Sequence, residues 1–125
     1  MPKHKLALSK LTLLSEGNAP WAIPVFCLGE FLRVITHPKV FSPPFTVREA
    51  QRALSHLTES PSLNVLYPGE DFISLLIESF EQGGATGNLV FDAQIVAVCR
   101  EHGVQTLLSE DRDFDRFQGV NREGL

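Results

Sequence analysis

The chain has 125 residues, 43% of them hydrophobic and 21% charged, with a net charge of −4. This length suits one domain with a single core, and the balance excludes a disordered chain or a protein that coats nucleic acid by charge alone. An enzyme that cuts nucleic acid remains compatible with the negative charge, because a bound metal ion supplies positive charge locally.

No run reaches the roughly 20 apolar residues of a membrane span. The opening "MPKHKLALSK" lacks the apolar stretch of a secretory signal, so a cytoplasmic location is expected. In chain order, residues 3–16 place Leu6, Leu11 and Leu14 near one face, and Gly17-Asn18 stops the pattern, which predicts an amphipathic helix. "WAIP", residues 21–24, is a short extended piece. Residues 25–36 are apolar nearly all round and predict a deeply placed helix, although periodicity alone also permits a strand. "HPKVFSPPF" is a loop, broken by its prolines. Thr46 and Glu49 have the spacing of a capping box, opening a helix to about Glu59 with Ala50, Ala53, Leu54 and Leu57 inward.

"LNVLYPG" predicts a strand ending in a turn. Residues 71–82 predict another amphipathic helix, closed by Gly83-Gly84. Asn88 is placed to cap a helix over 89–102, with Ala93, Val96, Ala97 and Cys99 facing a core. Residues 104–108 predict a strand, and the tail from Phe114 is poorly patterned. Alternating helices and strands point to an α/β class with helices on both faces of a sheet. Five helices against three short strands leave such a sheet short of strands. Cys27 and Cys99 are isolated in apolar segments and read as two buried free thiols.

Four acids stand out. Glu30 lies in the middle of an apolar helix and needs a partner, either Arg33 one turn on or a metal ion. Asp92 falls in the first turn of its helix, where the dipole favours an acid and where the end of a buried helix also suits a cation-binding group. Asp111 and Asp113 follow a strand, where α/β sheets place their ligands, although such a cluster can equally be a solvated loop. Ser109, just ahead of them, is placed to orient a carboxylate or a water. "GGATGN", residues 83–88, lacks the lysine of a phosphate loop. His4, His37, His56 and His102 share no metal-ligand spacing and read as surface or loop residues.

"IPVFCLGEFLRVITHPKVFSPPFTVREA", "GNLVFDAQIVAVCREHG" and "LLSEDRDFDRF", in this order, resemble a PIN-domain protein of the VapC toxin type. The resemblance covers almost the whole chain, read as one PIN-like domain over 1–125. It implies a three-layer α/β/α sandwich around a parallel sheet, and an endoribonuclease dependent on Mg²⁺ or Mn²⁺. It also implies an RNA substrate, a small antitoxin partner and a homodimer, with no membrane. Glu30 matches the family's second acidic position, Asp92 the third, and Asp111 with Asp113 the segment that supplies the fourth. Glu30, Asp92 and Asp111 are thereby implied as metal ligands, with Asp113 in the same catalytic group and Ser109 in support.

The family opens on a central strand bearing an Asp, and the present sequence shows no such stretch. The expectation is a chain lacking its first strand and one acidic ligand, hence weak or inactive as a nuclease, and recruiting a replacement by dimerisation or element swapping. The alternatives are a non-enzymatic PIN remnant that binds an antitoxin or partner subunit, and an unrelated α/β hydrolase acting on a small phosphate ester.

Overall fold

The structure, a computed structural model, describes residues 21–109 and 111–124. The predicted helix over 3–16 and the question of a first strand lie outside the described residues. The chain divides into two compact units, residues 1–65 and 66–125.

In the first unit, strand β1 (Trp21–Pro24) leads into helix α1 (Phe26–Ile35). Helix α2 (Val47–Thr58) follows, and then strand β2 (Leu63–Leu66), which pairs with β1 and reaches the unit boundary. The Trp21 amide donates to the Ser62 carbonyl at 3.0 Å, and the indole Nε1 donates to the Ser62 hydroxyl at 3.1 Å. The predicted capping box forms at the start of α2. The Thr46 hydroxyl accepts from the Glu49 amide at 3.1 Å, and the Glu49 carboxylate accepts from the Thr46 amide at 2.9 Å. Ala50 and Leu57 are buried on the inner face of α2, and Ile35 at the end of α1.

In the second unit, helix α3 (Phe72–Gly83) ends on Gly84, whose φ of 54° is open to glycine at little cost. Helix α4 (Leu89–Glu101) packs against α3. Its residues Ile95–Cys99 are all buried, the mark of a helix enclosed on every side. Arg100 ties the pair together, donating to the Ser79 hydroxyl at 3.0 Å and to Gln82 Oε1 at 2.6 Å. The Glu101 carboxylate accepts from the amides of Gly69 and Asp71 and so fixes the chain entering α3.

Strand β3 (Thr106–Leu108) pairs in parallel with β4 (Asn121–Glu123), with Leu107 opposite Arg122. A 3₁₀ segment (Arg112–Arg116) lies between them. Phe114, Phe117 and Val120 are buried and anchor this connection.

Several expectations need correction, among them a deeply placed α1, of whose residues only Ile35 is buried. Asn88 makes no side-chain cap bond; it already has helical φ and ψ of −64° and −20°, and the Thr86 and Gly87 carbonyls accept the first amide bonds from Leu89 and Val90. The strand predicted over 104–108 begins only at Thr106, because the Val104 amide still donates to Cys99 in the exit from α4. The unpatterned tail contains β4. Among the described residues neither cysteine forms a disulfide, and Cys27 is only half-buried. Burial pushes the Cys99 thiol up to about 11. Among the described residues, no helix is long and apolar enough to cross a membrane.

Candidate metal centre

The centre is built in the second unit from the start of α4 and the turn after β3. The first turn of α4 carries Asp92, which sits half-buried there. Asp92 is the acid of the first turn of α4, near the positive end of the helix dipole.

The turn after β3 is held locally. The Ser109 hydroxyl accepts from the Asp111 amide at 3.0 Å, and Asp111 Oδ1 accepts from the Asp113 amide at 2.9 Å. Ser109 thus shapes the backbone of the turn. Below it, Phe114 and Phe117 are 6% and 2% exposed and anchor it to the core. Strand β4 closes the other side: Arg122 donates to the Ser109 carbonyl at 3.1 Å and to Asp115 at 2.9 Å.

The result is one carboxylate oxygen from each of Asp92, Asp111 and Asp113, all within 4.8 Å of one another. Asp111 and Asp113 are exposed. Burial pushes the Asp92 carboxyl up to about 6, and the charges of Asp111 and Asp113 push in the same direction. Among the described residues, no Lys or Arg forms an ion pair with any of the three. The donor set is all oxygen and suits a hard divalent ion such as Mg²⁺ or Mn²⁺ better than a soft one.

Glu30 belongs to the first unit, and the three-acid group is drawn from the second unit alone. In α1 the Glu30 carboxylate accepts from Arg33 Nε at 3.0 Å and from Arg33 Nη2. The Arg33 hydrogen bond is the main reason its carboxyl lies below the usual range; partial burial opposes this and the Arg33 charge adds to it. The pairing one turn on, read from spacing, is therefore present. Sequence reasoning missed Arg122, whose strand gave no periodic signal. The Phe114 and Phe117 anchors carried one, in their three-residue spacing.

A family model described as PIN domain matches residues 2–120. The ribonuclease VapC48 of Mycobacterium tuberculosis is 33% identical over 90 residues, covering 72% of this chain and 62% of that protein. The chain thus spans under two thirds of VapC48. The ribonuclease VapC43 of the same organism is 32% identical over 108 residues, covering 86% of this chain and 73% of its own length. Among solved structures, VapBC2 from Rickettsia felis, bound to a DNA fragment from the promoter, is similar in fold. It has a TM-score of 0.63 and 21% identity, and the match covers 94% of this chain and 83% of that one. The α/β elements described above have the same PIN-like fold class, and the chain belongs to the PIN-domain family, among its VapC-type members.

Proposed function

We propose that the chain is a VapC-type endoribonuclease, a single PIN domain that hydrolyses RNA with Mg²⁺ or Mn²⁺ and is held in check by a small antitoxin protein in the cytoplasm. The observation that carries this reading is the meeting of Asp92, Asp111 and Asp113 within 4.8 Å. Close carboxylates repel, and a divalent ion removes that cost. An ion held by Asp92, Asp111 and Asp113 would supply a hydroxide near neutral pH and offset charge on the phosphodiester oxygens.

The chain's own residues do the rest. Asp92, displaced upward to about 6, would hold a cation in its ionised form, so binding would strengthen as pH rises toward about 6 and level off above it. Asp111 and Asp113 complete the ligand set from a turn whose shape Ser109 holds. Glu30 is the fourth acid of the reading, and it acts only if it shares its carboxylate with Arg33 or releases it. A second copy of the chain is the expected oligomeric partner.

The test is cleavage of a structured RNA with Mn²⁺, with EDTA, and in Asp92→Asn and Glu30→Gln. Metal-dependent cutting lost in Asp92→Asn supports the enzyme, and its further loss in Glu30→Gln brings Glu30 into the site. Metal binding without cutting supports a second reading, a PIN protein that captures an antitoxin without cutting RNA. The engagement of Glu30 by Arg33 favours that reading.

A further inference from the structure

Charge is unevenly divided along the chain. Over residues 1–65, seven Lys and Arg stand against four Asp and Glu; over residues 66–125, four stand against eleven. An RNA backbone approaching the acidic second unit meets repulsion that a divalent ion offsets only locally. Net attraction must come from cationic side chains that are free to engage phosphate.

Most arginines of the second unit are committed elsewhere. Arg100 is bonded to Ser79 and Gln82, Arg116 to the Gly83 carbonyl, and Arg122 to Asp115 and the Ser109 carbonyl. In the first unit Arg33 is paired with Glu30.

Helix α2 differs. Arg48, Arg52 and His56 recur every fourth residue and are exposed along one stripe. Successive members stand about 6 Å apart along the axis, a step of the order of that between neighbouring phosphates. Both ion pairs among the described residues lie elsewhere. Arg52 lies close enough for its charge to act on Glu49, whose carboxylate is already held by the Thr46 amide. Gln51 and Ser55 add polar donors beside the stripe, and Glu59 ends it. These six side chains line an open depression of about 590 Å³.

We propose that the Arg48–Arg52–His56 stripe of α2 is a docking surface for the phosphate backbone of single-stranded RNA. The inference rests on the ribonuclease reading for its choice of polyanion, and deepens it by naming residues of the first unit that bind the RNA backbone.

The experiment measures binding of a fluorescent single-stranded RNA by anisotropy, in EDTA so that cleavage plays no part, across a series of salt concentrations. The Arg48→Gln/Arg52→Gln double variant is expected to bind about tenfold more weakly at about 50 mM salt, and its salt slope to fall by about 1.4, two single-strand phosphate contacts. The Arg48→Lys/Arg52→Lys variant is expected to keep the slope. Circular dichroism checks that α2 persists in each.

An unchanged slope in the Gln variant overturns the proposal, as does an absence of RNA binding by the unaltered chain. An equal loss in Lys39→Gln also overturns it, by revealing diffuse attraction. A loss confined to duplex DNA or to a polyglutamate peptide assigns the stripe to another partner. The arms separate the two readings. Arginine-dependent binding by a chain that cuts no RNA in Mn²⁺ leaves the surface standing and removes the nuclease. Cutting that survives intact in the Gln variant, with binding unchanged, does the reverse.

Discussion

Asp92 is subject to two opposing demands. Its place in the first turn of α4 brings its carboxyl beside Asp111 and Asp113, while burial and those two acids penalise its charge. Its folded-state value lies above the ordinary 3.8, so the protonated form is favoured on folding. The stability this group contributes is complete below 3.8 and is lost as pH rises through about 6. In EDTA, the stability of the unaltered chain relative to Asp92→Asn is therefore expected to fall as pH rises from about 4 to about 7. Denaturant titrations of both proteins across that range check this, and a constant difference refutes it. At this scale the sequence was informative where chemistry is local. Arg33 lies one turn from Glu30, and Thr46 three residues before Glu49, and both pairs form. Asn88 was misread because its side chain matched a cap while its backbone was already helical.

The α3–α4 pair is closed by a glycine with no room to spare. A Cβ on Gly83 would lie 2.5 Å from Phe117 Cε1 and 2.8 Å from Cζ. The ring is 2% exposed and sits among the core side chains. Gly83→Ala gains up to about 1 kcal/mol in helix propensity but pays for overpacking, typically about 1–3 kcal/mol. Net destabilisation is expected in urea unfolding, and a neutral or stabilised variant would mean that Phe117 can move aside. The helices were legible as elements because their apolar spacing is periodic over three turns. Strand β4 was not: "NRE" has no apolar alternation, and it becomes a strand only through its pairing with β3, a tertiary fact. The same holds for the true start of β3, set by the Val104 amide reaching back to Cys99.

For the whole molecule, alternation of helix and strand was enough to read the α/β class, and the order of three motifs was enough for the family. The grouping of Asp92 with Asp111 and Asp113 came from the resemblance alone, because contacts between α4 and the turn after β3 depend on packing. Two predictions belong here. Mn²⁺ is expected to stabilise the folded chain by about 2.7 kcal/mol at a hundred times its Kd, seen as a Tm rise reversed by EDTA. Asp92→Asn is expected to lose most of that rise; an undiminished rise would place the ion elsewhere. On α3, Ile73, Ile77 and Phe80 are 71%, 55% and 43% exposed, at helical spacing along one face. A dimer built through this face would shift toward monomer in Ile77→Glu, read by light scattering at micromolar concentration, and an unchanged mass would exclude the face.

The tie between Arg122 and the Ser109 carbonyl has a practical side. Asp111 and Asp113 are carried by the span between β3 and β4, so they depend on residues 121–123 as a bridge deck depends on its far abutment. Substituting Arg122 would slacken the arrangement of both aspartates while leaving every acid in place. Activity lost in such a variant would report on the support of the turn, with its ligands untouched.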